Sequence, residues 1–330
     1  MCGGKPIVAP YRLPALTETL EDCLNQLVEG FNHIKSQCEQ PCAAISFAFP
    51  GPADYVHGVI GDLPNFKCFR GGVALGPFLE KQFGVPVFIN NDGWLFAYGE
   101  AMAGALPTVN QWMEKHGNTI RYHNLIGITL GTGFGCGIVI NETLLLGDNG
   151  QASNMWCFRN KKYTHWTAEE SVSIRAVQRV YRELSNDDRP LSPKDIADIA
   201  HGIAEGDQIS ARRSFAELGE IAGDSIATAC DLIDGIVVIG GGIAHSADLI
   251  FPSLVKEMNT QLKIHSNCLV NRLPSKAFNL EDENSRREFL REDLKTVQVE
   301  GTTLMVPYLQ MGHIGIMRSC LAFLRPPVIC

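Results

Sequence analysis

A carboxylate held where a strand meets a helix can take a proton, and this 330-residue chain has one at Asp92. The run Val85–Ile89 is apolar and rich in β-branched and aromatic side chains, which predicts a buried strand. It stops at Asn90-Asn91-Asp92-Gly93, and a helical pattern follows through about Met102. In open α/β sheets, ligands bind in the crevice at the carboxyl ends of the strands. There Asp92 can act as a base that takes a hydroxyl proton, with Asn91 hydrogen-bonding the substrate beside it. The competing reading is that Asp92 only caps the helix.

Two glycine-rich turns offer a different chemistry. Leu125–Leu130 reads as a strand running into Gly131-Thr132-Gly133-Phe134-Gly135-Cys136-Gly137, after which Ile138–Ile140 resumes an apolar strand. A turn between two strands is not a dinucleotide fingerprint, which opens a helix, and no Gly-Lys-Ser/Thr follows as in a P-loop. Glycines here would instead let backbone N–H groups converge on an anion, with Thr132 adding a hydroxyl donor. A plain glycine-rich hairpin is the alternative. Farther on, the strand Gly235–Ile239, the turn Gly240-Gly241-Gly242 and the helix Ala247–Met258 form a second unit. It suits a flat ligand lying against backbone at a helix N-terminus.

The elements that must position these residues alternate along the chain. Pro6–Leu13 reads as a strand, Thr17–Ser36 as an amphipathic helix, Ala43–Phe49 as a strand ending in Pro50-Gly51-Pro52, and His57–Leu63 as a short strand. A helix near Gly76–Phe83 leads back to the Asp92 strand. This order predicts an α/β fold with mainly parallel pairing. Residues 109–124 are polar and irregular around a short helix at Val109–His116, and mark a boundary between lobes 1–108 and 125–310. Thr167–Leu184, Lys194–Ala204 and Ser210–Ile233 read as helices, Asn279–Lys295 as a charged helix or loop, and Val297–Val299 and Leu304–Val306 as short strands. Met311–Leu324 reads as a final apolar helix packing on the first lobe.

Composition narrows the function. Hydrophobic residues make up 45% and charged ones 19%, which fits a packed globular protein rather than a disordered one. A net charge of −8 leaves no basic surplus to neutralise phosphates, so nucleic acid is not the expected partner. No apolar run reaches the ~18 residues a membrane span needs, and Met1–Pro14 lacks the pattern of a signal peptide. The expectation is a cytoplasmic protein whose 11 cysteines, scattered without a Cys-x-x-Cys pair, are reduced thiols.

Together the motifs resemble the ROK family of bacterial sugar kinases and sugar-responsive repressors. The resemblance rests on Phe49-Pro50-Gly51-Pro52, Leu63-Pro64-Asn65, Asn91-Asp92, Gly131-Thr132-Gly133-Phe134-Gly135 and Ile239-Gly240-Gly241-Gly242, in that order, from about Lys5 to Leu324. It implies a two-lobed actin/hexokinase-like (ribonuclease H-like) ATPase fold and phosphoryl transfer from ATP–Mg²⁺ to a hexose hydroxyl in the cleft between lobes. It further implies Asp92 as base, Asn65 and Asn91 as sugar ligands, Gly131, Thr132 and Gly133 as a phosphate loop, and Gly240, Gly241 and Gly242 as the adenosine turn. A homodimer is implied as well.

The chain also departs from the family pattern. The family opens with a strand, an Asp-x-Gly-Gly-Thr phosphate turn and a second strand, whereas here Met1–Gly4 leads almost directly into what resembles the third strand. With those first strands and that loop missing, the expectation is weak phosphoryl transfer or none. The family's sugar-binding glutamate falls on Asn154 and its histidine on Cys157. The cysteine-rich zinc loop is replaced by Phe158–Trp166 with one histidine, so no structural zinc is expected. Trp94 and Cys136 are bulky beside the two active-site turns. The alternative function is a catalytically impaired homologue that binds sugar or serves as a regulatory partner. A DNA-binding repressor and a generic actin-like ATPase are weaker readings.

Overall fold

Residues 8–13, 18–63, 66–292 and 294–321 are described by a computed structural model, and they divide into two units. The first contains residues up to Leu95 together with Leu146–Gln151 and Leu321, and the second contains Phe96–Leu145 and Ala152–Cys320. In the first unit the chain forms α1 (Leu20–Ser36), β1 (Ile45–Ala48), the short pair β2 (Ala53–Asp54) and β3 (Val59–Ile60), α2 (Leu75–Phe83) and β4 (Val87–Asn90). The chain passes to the second unit inside α3 (Asp92–Ala103). Strands β1 and β4 pair in parallel, from Ile45 opposite Val87 to Ala48 opposite Asn90. Leu27, Phe49, Phe69, Leu75, Leu79 and Ile89 fill the core beside them.

The second unit continues with α4 (Ala105–Lys115), β5 (Asn124–Leu130), β6 (Phe134–Ile140), β7 (Thr143–Leu144), α5 (Ile174–Ser185), α6 (Pro193–Ala200), α7 (Gln208–Ile233), β8 (Ile236–Gly240) and α8 (Ala247–Met258). It ends with β9 (Gln261–Lys263), β10 (Leu269–Asn271), β11 (Lys276–Asn279), α9 (Glu283–Phe289), β12 (Leu294–Gln298), β13 (Met305–Leu309) and β14 (His313–Arg318). Six strands make one sheet in the order β11-β14-β8-β5-β6-β7. The pairs β11–β14, β14–β8 and β8–β5 are parallel, while β6 runs antiparallel to β5. Alternate residues serve opposite faces: Ile126, Ile128, Val237 and Ile239 pack towards α7 and α8, and Leu125, Ile236 and Val238 towards α3 and α4. Both faces are therefore covered, which is why these strands read as continuous apolar runs.

Three expectations are corrected. His313–Arg318 is a strand of the central sheet, not the expected helix over 311–324; four of its six residues are buried between β11 and β8, and a short apolar run bounded by glycine has no periodicity to tell strand from helix. Residues 322–324 of that expectation lie outside the described residues. The segment 109–124 is not a mere connection, because Val109 and Met113 of α4 are fully buried in the second unit's core. The chain divides at Leu95–Phe96. Residues 8–13, expected as strand, form no regular element.

Candidate active site

Helix α3 starts at Asp92 directly after β4 ends at Asn90, so Asn91 is the residue that caps it. Its Oδ1 accepts from the backbone N–H of Gly93 at 2.9 Å and of Trp94 at 3.4 Å, and its carbonyl accepts the first helical bond from Leu95 at 3.0 Å. Asn91 Nδ2 donates to Tyr55 Oη at 3.3 Å, and Tyr55 in turn donates to the Phe49 carbonyl at 3.0 Å. The cap is thus Asn91, and Asp92 occupies the first helical position with an exposed carboxylate. Asp92 Oδ1 accepts from Gly93 N–H at 2.9 Å, and Oδ2 makes no hydrogen bond to any described residue. A carboxylate here is favoured by the helix dipole and still has lone pairs for a hydroxyl.

Tyr55 is a supporting residue that the sequence reading missed. Burial pushes its phenol up to about 12, the Asn91 amide acts in the opposite direction, and the Asp92 charge adds to the rise. The phenol stays neutral and can both donate and accept. Its ring packs 5.4 Å from that of Trp94, which is buried and so takes up space in the core rather than over the turn. A tyrosine just after a strand-ending Pro-Gly-Pro turn was the available signal. Asn65, the other expected sugar ligand from this part of the chain, lies outside the described residues.

In the second unit the two glycine turns meet. Strands β5 and β8 are parallel neighbours with Thr129 opposite Gly240, so Gly131–Gly133 and Gly240–Gly242 leave the same edge of the sheet. Gly241 has φ +93°, and a Cβ there would collide with the Leu130 backbone, so only glycine allows this approach. A Cβ on Gly131 or Gly242 would meet nothing within 4 Å, so open space lies over both turns. Gly131 N–H closes the first turn onto Gly133 O at 3.1 Å, and the N–H groups of Thr132 and Gly133 bond to no described residue. Glu169 anchors the far side by accepting from Phe134 N–H at 2.9 Å, and Ile174 N–H donates to Gly131 O at 2.9 Å. Ser173, just before it, is fully buried, and its hydroxyl has no partner among the described residues.

Asn154 sits in a third place, ahead of a short 3-10 turn at Met155–Cys157. It is exposed, and its Oδ1 accepts from Trp156 Nε1 at 3.1 Å. Cys136 is buried in the core against the sheet, and burial raises its thiol well above the ordinary range. Where the expected zinc loop would follow, buried Asn160 organises Phe158–Trp166: its Oδ1 accepts from Lys162 and Tyr163 N–H, and its Nδ2 donates to Thr167 O and Ser171 Oγ. Lys162 pairs with buried Glu217 at 2.5 Å, and Lys161 with Glu257 at 2.6 Å. Among the described residues no group of three or more His, Cys, Asp or Glu is placed to hold a metal ion.

Residues 5–279 match the sequence model of the ROK family. The chain belongs to the ROK family. A solved glucokinase from Parabacteroides distasonis is 51% identical, with a TM-score of 0.86 over 97% of this chain and 88% of that one. A glucokinase of Streptomyces coelicolor is 24% identical over 272 residues, 76% of this chain and 79% of the relative. A ROK family glucokinase from Streptomyces griseus, solved in complex with glucose and AMPPNP, shares the fold at 18% identity, with a TM-score of 0.63 over 100% of this chain and 91% of that one. Relatives described as xylose repressors match as well, at 24–26% identity over 188 to 283 residues. The α/β fold of the chain is accordingly the actin/hexokinase-like fold of ROK sugar kinases.

Proposed function

We propose that this ROK protein is an ATP-dependent hexose kinase in which Asp92 takes the proton of the attacking sugar hydroxyl. The observation that carries this reading is the division of labour at the start of α3. Asn91 does the capping, so the exposed Asp92 carboxylate has an oxygen left for a substrate. Asn91 Nδ2 has a second N–H beyond the one given to Tyr55, and together with Asn65 and Asn154 it would hydrogen-bond the sugar.

The residues of the glycine turns fit a nucleotide. Open space over Gly131 and Gly242, unengaged N–H groups at Thr132 and Gly133, and the orphaned Ser173 hydroxyl all favour a polar ligand with negative charge. When bound, ATP–Mg²⁺ supplies the phosphoryl group and offsets its charge. The glucokinase description of the 51% identical relative and the AMPPNP complex of the Streptomyces griseus protein support this assignment. A cytoplasmic homodimer completes the proposal, which light scattering and cell fractionation check.

The test is sugar-dependent ADP release by purified protein with glucose, ATP and Mg²⁺. Asp92→Asn is expected to keep the melting temperature and lower turnover by roughly 10²–10⁴, as for one lost acid–base group. Unchanged turnover in that variant would overturn the assignment. A second reading, a ROK homologue that binds sugar in a regulatory role, is favoured by the uncharged Asn154 side chain already engaged by Trp156. Saturable hexose binding without ADP release would select it.

A further inference from the structure

Away from the residues assigned above, the second unit contains a cavity of about 450 Å³ walled by the outer face of α5, residues 187–191 and Ile196 of α6. Four arginines line it, Arg175, Arg179, Arg182 and Arg189, against two carboxylates, Glu170 and Asp187. Four positive and two negative groups give this wall a charge of +2, in a chain whose net charge is −8.

The donors in this wall are not all satisfied. Arg189 is committed to Asp187 through Nε at 2.9 and 3.0 Å and Nη2 at 2.6 Å, and to Glu205 O at 3.0 Å. Arg175 is shared between Glu170 at 3.2 Å and the Thr132 carbonyl at 3.4 Å. Arg179 lies over the rings of Tyr163 and Trp166, 5.4 and 5.0 Å from their centroids, which fixes its plane. One of its nitrogens reaches Glu183 at 3.3 Å, while Nη2 is buried with no partner among the described residues. Arg182 is exposed, and its guanidinium makes no ion pair or hydrogen bond with a described residue. A buried cationic donor without an acceptor is costly, and an oxyanion is the acceptor that relieves it.

The geometry points to a binding site for a small phosphate-bearing metabolite in this cavity, with Arg182 as its principal donor and Arg175 beside it. Arginines lining one cavity suit the several oxygens of a phosphomonoester, where lysine would offer only point charges. A volume of about 450 Å³ admits a phosphate carrying a sugar-sized group. Arg175 ties the site to the Gly131–Gly133 turn, so an occupant that draws Arg175 inward releases the Thr132 carbonyl. The site does not depend on the kinase reading.

The experiment is calorimetric titration at fixed ionic strength with two probes, inorganic phosphate and glucose 6-phosphate. The wild type is expected to bind one equivalent of at least one probe, and Arg182→Ala to weaken it about tenfold through one lost charge-assisted contact. Arg182→Glu is expected to abolish binding, and Lys115→Glu, a charge reversal on α4, to leave it unchanged. Tighter binding of the ester identifies a phosphorylated sugar as the class, and equal affinities identify free phosphate. Binding that survives Arg182→Glu, no saturation by either probe at millimolar concentration, or displacement by adenosine, which carries no phosphate, would each overturn the proposal.

Discussion

Asn91 and Asp92 are neighbours with similar side chains, yet replacing them by alanine should differ in its effect on stability. Asn91→Ala removes the acceptor for Gly93 and Trp94 N–H and should lower stability by about 1 kcal/mol, as lost helix caps do. Asp92→Ala leaves that cap intact, so thermal melting should barely move while phosphoryl transfer disappears. Equal losses of melting temperature in the two variants would mean that both residues only support the helix. A second carboxylate makes a pH prediction. Arg189, followed by its backbone N–H and the Tyr181 hydroxyl, holds Asp187 well below its ordinary value of 3.8. A carboxyl group whose value falls on folding adds stability above its unfolded value and loses it as pH drops through the folded one. The wild type should therefore lose stability below about pH 4, and Asp187→Asn should flatten that acid limb in melting experiments between pH 5 and 2. Parallel limbs would show that the pair contributes nothing.

At the scale of elements, the two glycine turns make opposite predictions for one kind of substitution. Gly241→Ala drives a Cβ into the Leu130 backbone at positive φ and should cost roughly 2–4 kcal/mol, overpacking and backbone strain together. Gly242→Ala meets nothing within 4 Å, so it should melt like the wild type and instead weaken nucleotide binding, as read by calorimetry with AMPPNP. Both turns were legible because each interrupts an apolar run with residues of a single conformational meaning. Strand β14 was not, because Met311–Arg318 is apolar without a period, and its Gly315 lies so close to Leu280 and Phe289 that a side chain there would clash. Helix α4 was mistaken for a connection because its outward face is polar, and only the packing of Val109 and Met113 shows that it is core. The Asn91 cap was also hidden: Asn and Asp are equally good caps, and only the backbone decides which one serves. The segment Phe158–Trp166 supports a further prediction. The Asn160 side chain makes four hydrogen bonds that hold this segment, so a chelator should leave the melting temperature unchanged, whereas Asn160→Ala should cost about 2–4 kcal/mol by stranding buried partners.

For the molecule as a whole, the sheet order β11-β14-β8-β5-β6-β7 has a consequence in time. Strand β14 is the last described strand in sequence, yet it lies between β11 and β8 in the interior of the sheet. A ribosome releases β5, β6 and β8 long before His313–Arg318 leaves the exit tunnel, so β8 waits with one edge bare. At about 5–20 residues per second, the roughly 70 residues between β8 and β14 correspond to several seconds of exposure for a strand that is apolar on both faces. Nascent chains arrested before residue 311 should be cleaved readily by protease and held by chaperones, and those arrested well past residue 318 should become resistant in one step. Gradual resistance acquired before β14 emerges would contradict this. The strand order thus makes synthesis itself the period of greatest vulnerability for this protein.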